Sequence, residues 1–438
     1  MEYFRVPPDF AVGHEADGLS KEAGYFAFGG AVCYGRARGG SPAARLTPAL
    51  PDRSLGVTAD GRLPFSLAEV ATNLREERYV AHKPANGVTS STLTRDVYYA
   101  LRPFLTVGVR KHLQRLRLRD WSSIAFPAWP VDVSVDTLMR AAMLVALRTR
   151  GIDRIPFIWF WPNGASSCGM MTHDVEGPAG EAFCRELMDV DESFGITSAF
   201  QIVPEARRRA RPRIVDEIRG RGFEVNLHDL NHDGRLFETR EQFLERAKRI
   251  NRFAREMGCP GFRSGAMYRE QSWFDAFEFR FDMSVPSVAH LEPQRGGCCT
   301  VMPYFVGNVL ELPLTTAQDY SLFNILSDYS TTLWQAQITL IRESHGLISF
   351  IAHPDYLRDR RALAVYKELL AELAHLRDDQ GVWMALPSEI DAWWRTRREL
   401  SLIRDGAAWR VVGAGSERAR VGYASIDDGR VVYNVDPE

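Results

Sequence analysis

The sequence has almost no charge to spare on either side. Its 54 basic residues meet 56 acidic ones, a formal net charge of −2 over 438 residues. A chain so balanced has no global pull towards nucleic acid, and no nucleic-acid partner is expected. Long hydrophobic runs are missing as well: RAAMLVAL stops at Arg148, well short of the roughly 20 apolar residues that a bilayer-spanning helix needs. The opening MEYFRVPPDF lacks a basic-then-apolar leader pattern. Six cysteines in this length form no disulfide-like array. These absences set the expectation of a reduced, cytoplasmic chain. No internal repeat is visible.

What is present reads as ordinary globular protein, 45% hydrophobic and 25% charged, in about two to three units. Residues 1–88, with Gly, Pro and short apolar runs such as YFAFGGAVCYG, read as a small, irregular, mostly β appendage. Residues 89–155 read as a helical linker, broken at FPAWPVD and ending in VDTLMRAAMLVALRTRG, a helix closed by Gly151. After IPFIWFWPNG, short apolar runs alternate with amphipathic stretches. The runs are CGMMTHD, TSAFQIV, GFEVNLH, GFRSG, FDMSVP, VLELPLT, LISFIAH and VWMAL. Seven or eight strand–helix units over 156–400 predict an α/β fold, either a barrel or an open parallel sheet. Residues 401–438, with a turn signal at DDGR, read as a small β tail.

The chemistry-bearing residues gather at the ends of those runs. Asp174 and Glu176 follow the first, His228 and His232 the third, Arg263 the fourth; Asp282 lies in the fifth and His353 ends the seventh. In a barrel of parallel strands these ends share one rim. His228 and His232 are four apart, so a helical turn would let both imidazoles grip one ion. The plainer alternative is one capping and one surface histidine. Asp174 and Glu176, two apart at a strand end, share a face. Two histidines and one carboxylate leave coordination positions open, and a second carboxylate can then take a proton from water. The plainer alternative makes Asp174 a helix cap and leaves Glu176 solvated.

THDVEG, HDLNH, GFRSGAMY and FIAHP, in that order, resemble the signature motifs of the polysaccharide deacetylase family, over residues ~156–400. The resemblance implies a distorted (β/α)7–8 barrel and metal-dependent removal of N-acetyl groups from a carbohydrate. It implies Asp174 as general base, with Arg263 holding it, and His353 as general acid. Glu176 falls where the family places a metal-binding Asp, and His228 and His232 match the metal-binding histidines. The implied cofactor is a divalent ion, zinc first, with other ions open. Two departures stand out. Val175 separates carboxylates that many members have adjacent, and RSGAMY replaces the usual Arg-x-Pro-Tyr, leaving Gly265 and Ala266 as candidate oxyanion donors. Asp282 is the candidate to orient His353, with loop capping as its alternative. His173 either touches substrate or fills the place of an aromatic residue.

Other features carry weaker expectations. Cys298 and Cys299 suggest a flexible rim loop, with His290 near the sugar, and Gln318 and Asp319 are candidates to line the substrate groove. EARRRARPR is a solvated helix start, with an anionic partner as its sharper alternative. Trp393 and Trp394 read as core. Residues 95–119, with Arg110, Lys111 and Arg115 among rings such as Tyr98 and Phe104, could lie on an anionic membrane; packing on the barrel is the plainer reading. Competing functions are a hydrolase of a ring amide or an O-acetyl ester, and a non-catalytic carbohydrate-binding barrel.

Overall fold

The computed structural model describes residues 3–10, 17–80, 118–205, 212–406 and 408–435. The chain opens with a hairpin of β1 (Gly24–Phe28) and β2 (Ala31–Gly35), turned at Gly29 and Gly30 with φ of 56° and 86°. Such a primed turn matches the twist of the strands and needs residues free to adopt positive φ. A helix, Leu67–Arg75, follows with Ser66 as its cap. The helix Ser134–Arg150 ends at Gly151 in the left-handed conformation, as VDTLMRAAMLVALRTRG predicts.

β3 (Arg154–Ile158) precedes β4 (Ser167–Val175), β5 (Ala199–Ile202), β6 (Glu224–His228), β7 (Gly261–Arg263), β8 (Phe281–Asp282), β9 (Tyr304–Val306), β10 (Val309–Glu311), β11 (Leu347–Ala352) and β12 (Val382–Met384). From β4 to β12 these form one curled sheet in the order β11-β4-β5-β6-β7-β8-β10-β9, with β12 beside the first half of β4. All pairings are parallel except β9 with β10. Each of the eight apolar runs named above is a strand of this α/β half-barrel. Its outer helices are punctuated as their sequences require. Thr239 caps Arg240–Met257 and Gly258 closes it; Asp359 caps Arg360–Gln380 and Gly381 closes it.

Two expectations about this region change. β3 does not join the curled sheet; it pairs antiparallel with β15 (Val421–Asp427), whose other neighbour is β16 (Arg430–Val435). β13 (Ser401–Asp405) and β14 (Ala408–Val412) form a separate hairpin. The apolar run at 155–161 is thus covered by the C-terminal tail, and its rings pack with Phe26, Phe65, Leu138 and Met143 in one cluster. Between β8 and β9 there is also no helix. Cys298 and Cys299 lie there fully buried, with Cys299 N–H donating to Ser287 C=O, so the expected flexible rim loop is an ordered part of the core. His290 is tied there too, stacked on Trp129 and bonded to Pro127 C=O. Trp393 and Trp394 are buried core residues. The basic stretches at 206–211 and 95–117 lie outside the described residues, as does the first part of the expected linker, residues 89–117. Among the described residues no helix is long and apolar enough to cross a membrane.

Where backbone pairing stops between β10 and β11, side chains take over. Thr315 Oγ1 donates to Leu347 C=O at 2.7 Å and accepts from Ser349 N–H at 2.9 Å; Thr316 Oγ1 donates to Ser349 C=O at 2.7 Å. Both hydroxyls are buried, so their loss strands polar groups. Thr315→Val should therefore lower unfolding stability by roughly 1–3 kcal/mol, the cost of leaving buried partners unsatisfied. An unchanged urea midpoint would show that the two strands need no such bridge.

Candidate active site

β4, β6, β7 and β11 deliver their polar ends to one place. β6 ends at His228, and the chain then bends sharply: Asp229 and His232 both take left-handed conformations, φ 54° and 55°. The two histidines are thus brought together by a strained loop, not by the helical turn that their spacing suggests. Their ring centroids lie 4.8 Å apart. Such backbone costs on the order of 1–3 kcal/mol per residue and persists where surrounding contacts over-determine it. Here Asp229 N–H donates to Arg263 C=O at 2.8 Å, and Asp229 Oδ1 accepts from Leu230 N–H.

Arg263 joins the pieces. It is fully buried; its Nη1 donates to Asp174 Oδ1 at 2.7 Å and to Thr172 Oγ1 at 2.8 Å, and its Nε to Met283 C=O at 3.1 Å. Burial is the largest influence on the Asp174 pKa and works to raise it, but the Arg263 guanidinium, His228 and His353 together outweigh it, and the carboxyl is held below its ordinary value.

Glu176, His228 and His232 can each point a ligand atom at one position, all within 4.8 Å of one another. Glu176 Oε1 lies 3.0 Å from His232 Nε2, 3.9 Å from His228 Nε2 and 3.7 Å from His353 Nε2. His228 Nδ1 faces Arg263 C=O at 3.2 Å; a proton there leaves the Nε2 lone pair aimed into the site. That Nε2 is buried and makes no hydrogen bond; Asp174 Oδ2 lies 3.8 Å away. An orphaned imidazole nitrogen beside a carboxylate and a second imidazole fits a divalent cation, and the donor set suits zinc chemistry. The Glu176 pKa is well below its ordinary range, because His232 and hydrogen bonding outweigh burial. Asp355 fixes the turn that carries Glu176: its Oδ1 accepts from Gly180 N–H at 3.1 Å, at the start of the helix Pro178–Ser193. A Cβ on Gly180 would come within 2.2 Å of this carboxylate.

On the other flank, His353 Nδ1 contacts Asp319 Oδ1 at 2.6 Å, and Asp319 Oδ2 accepts the His353 backbone N–H at 2.7 Å. Burial alone would lower the imidazole pKa, yet Asp319, Glu176 and Asp174 together push it up to about 10. Tyr356 packs on the ring at 5.0 Å between centroids.

Two assignments are corrected. Asp282 does not orient His353. It accepts from Ser284 N–H and Oγ–H and lies against Glu311 of the neighbouring strand β10, while Asp319 holds the imidazole. His173 does not reach substrate. It is fully buried, bonded to Asp191 Oδ2 at 3.0 Å and facing Ala352 C=O, with Tyr366 alongside. As the residue before Asp174 it points to the opposite face of β4. Gly265 does border the site. A Cβ there would lie 2.5 Å from Asp229 Oδ2 and 3.1 Å from His232, and Ala266 follows with φ 55°. Sequence reasoning placed Asp319 in the groove without its role and passed over Asp355; Asp355, two residues after His353, offered a local signal, whereas Asp319 meets His353 across 34 residues.

No family model matches the chain, and no curated protein matches it. Among solved structures, a Mycobacterium smegmatis protein described as a polysaccharide deacetylase is similar at 19% identity and TM-score 0.46, covering 57% of this chain and 97% of that one. Puue allantoinase is similar at 12% identity and TM-score 0.40, covering 54% and 92%. The peptidoglycan deacetylase PdaC from Bacillus subtilis is similar at 13% identity and TM-score 0.35, covering 53% and 93%.

The raised His353 pKa has a measurable consequence. In the metal-free protein the imidazolium should persist through neutral pH and titrate near pH 10. Since the folded value lies above the free value of about 6.5, the stability it contributes is complete below that pH and is lost as pH rises through 10. In Asp319→Asn, imidazole NMR should show the titration moving down towards the free value; an unmoved titration would mean that Asp319 does not sustain the charge.

Proposed function

We propose that this chain is a metal-dependent amide hydrolase that removes N-acetyl groups from an amino sugar in a glycan. The observation that carries the reading is the buried, unbonded His228 Nε2, set beside Glu176 and His232 and flanked by Asp174 and His353. The four-motif resemblance to polysaccharide deacetylases supports the choice of an acetamido sugar. Glu176, His228 and His232 would hold the ion, and zinc suits two imidazoles and a carboxylate with a position left open. When bound, such an ion polarises a carbonyl and makes water more acidic.

The chain's own residues divide the proton work. Asp174, kept ionised by Arg263, accepts the proton of the attacking water. Gly265 and Ala266 are the backbone donors assigned to the developing oxyanion. His353, held by Asp319 at Nδ1 with its Nε2 towards the site, delivers a proton to the leaving nitrogen. An amine leaves poorly as an anion, so a positioned proton donor favours an amide over an ester as the natural substrate.

Two variants test this division. Asp174→Asn should keep its metal and lose turnover by a factor on the order of 10² or more, as removal of a positioned base does. His353→Ala should lose far more activity on an N-acetyl glycan than on an activated acetyl ester, whose leaving group needs no proton. Near-normal turnover in metal-replete Asp174→Asn, or equal losses on both substrates in His353→Ala, would refute the corresponding role.

A further inference from the structure

Residues 265–267 form a turn against the candidate metal centre, and Ala266 and Met267 are consecutive non-glycine residues at φ 55° and 54°. A backbone so strained needs an external hold. The hold comes from Arg269, almost fully buried, whose Nη1 donates to Met267 C=O at 2.9 Å. Arg269 is in turn gripped from outside the barrel. Glu77, just beyond the helix Leu67–Arg75, accepts its Nε–H at 2.7 Å and its Nη2–H in a bidentate pair. Glu77 also accepts from Gly297 N–H at 2.6 Å and is itself left-handed, at φ 58°.

A buried bidentate arginine–carboxylate pair is directional as well as strong. Its place in the chain is what gives it meaning. The carboxylate belongs to the N-terminal region, and the guanidinium reaches the turn whose Gly265 leaves no room for a Cβ beside His232. We propose that Glu77 and Arg269 are positioning residues: the N-terminal region acts through them to hold the Gly265–Met267 turn, and with it His232, in metal-binding geometry. The inference rests on the functional reading above, because His232 must be a ligand for the turn to matter.

The test uses the full chain with Zn2+ as the probe. Single variants strand a buried charge and lower stability for that reason alone. The informative variant is therefore Glu77→Gln/Arg269→Met, which removes both charges. Its thermal midpoint should recover relative to Arg269→Met, while its Zn2+ affinity by calorimetry stays at least tenfold weaker than wild type. Arg269→Lys serves as the second variant; it keeps the charge but not the fork that reaches both Glu77 and Met267, and should show the same loss of affinity with a near-normal midpoint. Wild-type Zn2+ affinity in either variant would overturn the inference alone. A wild-type chain that takes up no Zn2+ would overturn the functional reading and, with it, the inference.

Discussion

The Arg263 guanidinium, locked between β4 and β8, is the constraint on which the rest of the site depends. One buried side chain bonds Asp174 and Thr172 on β4 and the carbonyl of Met283, while its own carbonyl receives His228 Nδ1 and the Asp229 amide. Breaking a buried ion pair by removing one partner costs about 3–5 kcal/mol, because the other charge is left uncompensated. Here the same loss would free Asp174 and loosen β4, while the loop that folds His232 back towards His228 is tied separately to the Arg263 main-chain carbonyl. The proposed proton acceptor and the candidate metal ligand His228 thus both lean on Arg263, one on its side chain and the other on its carbonyl.

Around that anchor the charges are arranged in opposition. A carboxylate held low by a guanidinium faces an imidazole held high by Asp319, and the carboxylate of Glu176 lies between imidazoles on both sides. Environments that push an acid and a base apart allow both to be in their working protonation states at one pH. The left-handed residues Asp229, His232, Ala266 and Met267 all lie on the loops that bring these groups together, which is where a fold tolerates strain.

Much of this was legible in the sequence. Strand alternation with helices, Thr239 and Asp359 as caps, and Gly151, Gly258 and Gly381 as terminators are local signals, and local chemistry decides them. Glu176, His228 and His232 could be grouped because parallel strands send their ends to one rim. What failed was non-local. The strand after Gly151 is apolar enough for a barrel, but its partner is β15, more than 250 residues later. Asp282 sits at a strand end, whereas Asp319, which holds His353, lies eight residues past the end of β10. Only the sheet order reveals that β8 neighbours β10 and Glu311, leaving the segment after β10, with Asp319, to meet His353 just past β11. The histidine pair was grouped for a partly wrong reason: a helical turn was expected, and a bent loop does the work.

The central claim is that one divalent ion is held by Glu176, His228 and His232. Anomalous diffraction at the zinc absorption edge from crystals of the Zn2+-loaded chain tests it most directly. The account predicts a single strong peak within coordination distance, about 2.0–2.2 Å, of the Glu176 carboxylate and both Nε2 atoms. A peak bound elsewhere, or a site with no anomalous signal at saturating Zn2+, would contradict it.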